Sequence, residues 1–222
     1  MDSAGVRDLL CGPLLLDTQL FKGKASDVDR RIGGALQLRS TDNGEVSEEA
    51  VTLYNSLLKS RTDVSGLDSS QRLRKDYKRW GEGEGAYGIS TVPCELGEWL
   101  KFDSELEGAL AAHAEREGVG LLLVMTTFMD DKDVFSRQLL VYAAEEERQR
   151  TCVAFLSSQT FPSFQQVGID PSLSLEPLSL PPSSLPPSWT GRVHALRQLN
   201  TRASRKQVQP AVEAFMTTCL SP

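Results

Sequence analysis

The feature that most constrains this chain is a continuous β-compatible run from Val119 to Phe128, apolar but for Thr126 and Thr127. It is too short to cross a bilayer and too continuous for a half-exposed strand. It therefore reads as a central strand buried on both faces, which requires layers of structure on either side. Asp130, Asp131 and Asp133 then surround a turn, and Arg137 to Ala143 returns as a second strand. Residues 119–143 are thus expected to form a hairpin inside an α/β domain. The acidic turn lacks the spacing, the glycine and the terminal glutamate of a calcium loop.

Other elements follow from periodicity and capping. Ala86 to Val92 reads as a strand, and Leu96 to Arg116 as an amphipathic helix with Trp99, Leu106, Leu110 and His113 on one face. Ser47 caps a helix carrying Val51, Tyr54, Leu57 and Leu58. Asp68 and Gln71 form a capping-box start for a helix bearing Leu73, Tyr77 and Trp80, ended by the glycines at 81–85. Glu145 to Ser158 reads as a helix. Val193, Leu196 and Leu199 suggest a short one. A last helix starts near Ser204 with Val208, Val212, Phe215 and Met216; Pro210 lies inside it or marks its true first turn. Pro162 to Pro187, rich in Pro, Ser and Leu, reads as an exposed loop.

The first forty residues read as helix, strand, helix. Pro13 to Asp17 is a short apolar run ending in a carboxylate, the form of a buried parallel strand with its acid at the carboxyl end. A helix follows from Ser26, with Val28, Ile32, Ala35 and Leu36 on one face. The turn-rich stretch at 41–46 is the expected linker between residues 1–40 and a domain over 47–220.

The net charge of -6 argues against a general nucleic-acid binder, but a local basic pocket on an acidic protein can still take an anion. There is no signal-peptide pattern at the N-terminus. The four cysteines are scattered without a C-x-x-C pair, which fits a reduced, cytoplasmic setting and argues against a zinc site.

Two basic segments stand out. Arg205 and Lys206 follow a serine at an expected helix start, where exposed amides already favour an anion. Cations there are unfavourable until an anion joins them. In Arg74-Lys75-Asp76-Tyr77-Lys78, a helix would place Arg74 and Lys78 on one face, with Asp76 free to orient a neighbouring cation. On spacing alone, each segment reads first as a solvated basic surface. Asp17 could ligate a hard metal, but a metal needs several such oxygens. His113 and His194 stand in no metal-ligand pattern; His113 reads as packed.

Taken together, the stretches LLLDT at 14–18, DVSGL at 63–67, LRKDYK at 73–78, LLLVMTTF at 121–128, RQLLVY at 137–142, VHAL at 193–196 and SRKQVQP at 204–210 resemble the prune family of the DHH phosphoesterase superfamily. The D-x-K and S-R-K motifs are also similar to those of the manganese-dependent pyrophosphatases of that superfamily. The resemblance implies a metal-dependent phosphoanhydride hydrolase acting on pyrophosphate or short polyphosphate. It implies a catalytic lobe with a two-metal site, manganese or magnesium, and a C-terminal α/β lobe with a mixed sheet that grips the substrate. By position, Lys78, Arg205 and Lys206 match the phosphate-binding cations, and Asp17 the last metal-binding aspartate.

The superfamily's earlier metal motifs, the D-H-H signature included, are not in this sequence. Residues 1–40 are therefore expected to be a strand-helix remnant of the catalytic lobe. The chain alone is expected to bind phosphate or polyphosphate with little or no turnover. The alternative expectation is a non-catalytic short form that binds protein partners.

Overall fold

The computed structural model describes residues 3–23, 25–165, 167–178, 189 and 191–219. The chain forms two compact units, Met1–Asp63 and Val64–Pro222. The division falls after the turn at 41–46, because the helix that Ser47 caps packs with the first unit.

Among the described residues, the first unit holds three helices, α1 (Ser3–Thr18), α2 (Asp27–Ala35) and α3 (Glu48–Thr62), with an isolated bridge between Arg39 and Val46. Ser26 and Ser47 cap α2 and α3 as their sequence positions dictate. The strand expected at Pro13 to Asp17 is instead the end of α1. Cys11, Leu15 and Thr18 are buried at helical spacing while Pro13 and Asp17 are exposed. An apolar run of this length is ambiguous by itself, and one-sided burial against Leu38 and Ala50 selects the helix.

The second unit is a six-stranded mixed sheet in the order β1-β2-β3-β4-β6-β5. The strands are β1 (Tyr77–Trp80), β2 (Tyr87–Val92), β3 (Leu121–Met129), β4 (Phe135–Ala143), β5 (Leu175–Pro177) and β6 (Val193–Gln198). The helices are α4 (Ser69–Lys75), α5 (Leu96–Phe102), α6 (Leu106–Glu117), α7 (Glu146–Ser158), the single turn α8 (Pro162–Gln165) and α9 (Arg205–Cys219). β2 and β3 are parallel and every other pairing is antiparallel.

The run that opened the sequence argument is the middle of this sheet. Leu121, Leu123 and Met125 pack against residues of α7 and α9. Leu122 and Val124 face residues of α4, α5 and α6. The period-two alternation of a strand sends neighbours to opposite layers, so a doubly covered strand must be apolar throughout. The α/β class, the mixed sheet and the 119–143 hairpin are as the sequence predicts.

Four expectations are corrected. α4 ends at Lys75, and Tyr77 to Trp80 form β1. The Ser90 hydroxyl donates to the Leu73 carbonyl and the Thr91 N–H to the Asp76 carbonyl, so β2 takes over acceptors near the helix end. The helix expected over 96–116 breaks at Asp103, whose carboxylate accepts from the Glu105 N–H and the Ser69 hydroxyl. Residues 193–198 are a strand, because β4 and β5 supply backbone partners on both sides. Within the expected 162–187 loop, Phe164 and Leu173 are fully buried and β5 joins the sheet edge. Its residues 179–187 lie outside the described residues. Among the described residues, no helix is long and apolar enough to cross a membrane.

Candidate functional site

The sheet has one end where chemistry can be assembled. β2, β3 and β6 all point their carboxyl ends the same way, as the pairings through β4 require. Open α/β sheets bind ligands at that end. β1 runs antiparallel to β2, so its first residues stand beside the end of β2, with Tyr77 opposite Ser90 and Lys78 opposite Ile89. β6 leads through residues 199–204 into the start of α9. The two basic segments noted in the sequence therefore meet at this end.

The meeting is a specific contact. Arg205 donates through Nη1 to the Asp76 carbonyl at 2.8 Å and through Nη2 to Asp76 Oδ1 at 2.7 Å. The Arg205 side chain is 18% exposed and that of Asp76 52%. Asp76 thus orients a neighbouring cation, as the sequence suggested, and that cation is Arg205. One turn further along α9, Gln209 donates to the Tyr87 hydroxyl at 2.9 Å, and Tyr87 stacks on Trp80 at 5.6 Å. Arg205 and Gln209 share a helical face, so the start of α9 is pinned at two points, to the residue preceding β1 and to β2.

Lys78 and Lys206 are exposed. Lys78 shares its sheet face with Ile89 and hence with the α9 layer. Arg74 and Lys78 do not share a helix face, since the helix ends between them. Ser204 does not free its hydroxyl for a ligand: both its Oγ and its N–H donate to Gln207 Oε1, at 2.8 and 3.1 Å. Pro210 lies inside α9 and withdraws the N–H that would serve the Lys206 carbonyl.

Tyr77, between Asp76 and Lys78, is anchored in the core. Its ring meets His113 edge-on at 4.7 Å. Gly88 makes room for it, because a side-chain carbon at that position would lie 2.5 Å from the Tyr77 ring. Burial pushes the Tyr77 hydroxyl up to about 12. Burial also lowers the His113 pKa, helped by the Arg116 guanidinium, which contacts Nδ1. His113 is packed, and His194 is an exposed residue of β6.

Asp17 is an exposed residue in the last turn of α1. Among the described residues, no three His, Cys, Asp or Glu side chains come together in a way that could hold a metal ion. The described residues therefore do not fit the metal that the resemblance implies.

One cation escaped the sequence reading. Arg137, at the start of the buried part of β4, donates through Nε to the Thr201 carbonyl at 2.8 Å and so holds the loop leading to Arg205. The sequence signals were a charge adjoining a buried apolar strand and its place at the head of the RQLLVY stretch.

The chain matches the description "DHHA2 domain" over residues 55–215. It is 29% identical over 212 residues to the exopolyphosphatase PRUNE1 of Homo sapiens, spanning 94% of this chain and 42% of that protein. It is 27% identical over 215 residues to the exopolyphosphatase PRUNE1 of Mus musculus, again 42% of the relative. The chain thus spans about two fifths of the length of these curated relatives. A crystal structure from Methanococcus jannaschii, of a protein assigned to the family II inorganic pyrophosphatases, superposes with a TM-score of 0.52 at 18% identity. The superposition covers 96% of this chain and 56% of the other, a likeness of fold.

Proposed function

This chain belongs to the DHHA2 domain family, and from that premise we propose that it is the phosphate-gripping part of a prune-like phosphoanhydride hydrolase. Lys78, Arg205 and Lys206 bind pyrophosphate or the end of a short polyphosphate. The observation that supports this most is the contact between Arg205 and Asp76, which joins two basic segments from opposite ends of the family match.

The chemistry is electrostatic. Arg205 offers a planar fork whose direction is set by Asp76, so little orientation is lost when an anion arrives. Lys78 and Lys206 are flexible point charges that can follow the ligand. First-turn amides of a helix have no intrahelical acceptors and add favourable dipoles at the start of α9. In a hydrolase these groups would neutralise charge on the substrate and on the departing phosphate.

The divalent metal, manganese or magnesium, would supply a polarised water. The described residues do not provide its ligand set, so no step of this reading passes through it. For this chain alone we infer binding with little or no turnover.

The test is calorimetric titration of the chain with pyrophosphate. Arg205→Ala/Lys206→Ala is expected to weaken binding by about tenfold or more, the loss of one or two charge-assisted hydrogen bonds. Unchanged affinity in a folded double variant would refute the assignment.

A further inference from the structure

Residues 199–204 join the end of β6 to Arg205, the first residue of α9. Side chains grip this loop by its backbone. Gln198 Nε2 donates to the Asn200 carbonyl at 2.8 Å and to the Ala203 carbonyl at 2.7 Å. Arg137 takes the Thr201 carbonyl between them. From within the loop, the Asn200 side chain donates to the carbonyls of Asp170 and Ser172, at 3.0 and 2.7 Å. The Leu199 N–H donates to the Ser174 carbonyl at 3.0 Å.

Gln198 is the member of this set that core packing does not explain. It is 1% exposed. Side chains alternate along a strand, so Gln198 shares the sheet face of Leu196, which lies in the core with residues of α7 and α9. An apolar side chain would be the cheaper occupant of such a position. The two carbonyl acceptors fix which end of the amide is nitrogen. Its Oε1 is then buried and, among the described residues, meets no hydrogen-bond donor. A buried acceptor without a donor is a standing cost. What offsets it is the pair of bonds that shape the loop.

The consequence falls on Arg205. Ala203 is fully buried and stands two residues before it. Its carbonyl, held by Gln198, settles where α9 begins. Asp76 settles the direction of the guanidinium at the other end of the side chain. Arg205 is thus fixed at root and tip before any ligand arrives. A cation already in place loses little freedom when it meets an anion.

We propose that Gln198 is a positioning residue for phosphate binding: by holding the Asn200 and Ala203 carbonyls it sets the start of α9, and with it the place from which Arg205 reaches the anion. The proposal rests on the phosphate-binding reading above and deepens it, naming a residue that organises the site without touching the ligand.

The test is a double-mutant cycle read by calorimetric titration of the full chain with pyrophosphate. Gln198→Met fills much the same space without N–H donors. Asn200→Ala releases the same loop from its far side. Each is measured alone and combined with Arg205→Ala. Leu156→Ala, a fully buried change on α7, is the control for stability alone. Gln198→Met is expected to weaken binding about fivefold, and Asn200→Ala to act in the same direction. Most of that loss should vanish once Arg205 is already gone, because the changes act through one group. Leu156→Ala should lower the melting temperature more than Gln198→Met does and leave affinity unchanged. Equal losses with and without Arg205 would make the role of Gln198 merely structural and overturn the proposal. If Gln198→Met does not fold, the Asn200→Ala cycle decides by the same criterion. Binding that depends on Arg205 but is untouched by both loop variants would overturn this inference alone. If wild type does not bind pyrophosphate, the underlying phosphate-binding reading fails and this inference with it.

Discussion

The two compact units solve the burial problem differently. The second places a sheet between two helical layers, so that β3 contributes side chains to both cores. The first has one small core, with Cys11, Leu15, Leu20, Phe21, Leu38 and Ala50 buried, while Val6, Leu9, Leu10, Val28 and Ile32 are exposed. Stability follows apolar area removed from water. The difference teaches where backbone can be held in place: Lys78 is carried by a strand of the doubly covered sheet and Arg205 by a helix packed on it, while Asp17 lies in the last turn of a helix of the less buried unit.

The strongest attack on this contrast is a cavity in the second unit. Phe215→Ala removes a fully buried ring between α7 and α9. It should cost about 3–5 kcal/mol in denaturant unfolding, where Leu15→Ala in the first unit should cost about 2–3. A larger loss for Leu15→Ala would break the comparison.

Next comes Gly88→Val, which drives a branched side chain into the Tyr77 ring. The expected loss is about 2–3 kcal/mol, accompanied by weaker pyrophosphate binding, because Tyr77 lies between Asp76 and Lys78. Normal stability in this variant would show that β1 yields easily.

The third is pH dependence. His113 is held neutral in the fold, so its pKa lies below the unfolded value of 6.5. Its contribution is complete above that value and is lost as pH falls from there toward the lowered folded pKa. Tyr77 acts at the other end: with its folded pKa raised from 10.0 to about 12, its contribution is complete below 10 and lost as pH rises through that interval. His113→Phe should flatten the acid limb of a stability–pH curve and leave the alkaline limb in place.

The smallest stability effect is expected at the site itself. Arg205→Ala should cost about 1 kcal/mol, since its partner Asp76 is half exposed and the pair is screened. Lys78→Ala should fall within about 0.5 kcal/mol. Both should weaken pyrophosphate binding far more than they lower the melting temperature. A parallel loss of both would recast them as structural residues.

Much of this was written locally. The helix start at Ser26, the capping box of Asp68 with Gln71, the Ser47 cap and the turn at Asp130 depend on residues a few positions apart, and the structure places them as the sequence implies. The Val119–Phe128 run fixed the central strand because only double-sided burial tolerates so continuous an apolar sequence. Lys78, Arg205 and Lys206 were singled out by motif, but the sequence could not say what they touch.

Tertiary structure decided the rest wherever two local states were close in energy. Residues 193–198 have apolar spacing compatible with a short helix, and became a strand because β4 and β5 offered hydrogen-bond partners along both edges. Residues 14–16 could have been a strand, and became helix because burial there is one-sided. Arg205 and Asp76 are 129 residues apart in the chain, and no local pattern encodes their contact. It exists because β6 and the start of β1 reach the same end of one sheet, an arrangement set by backbone pairing between distant strands rather than by any short stretch of sequence.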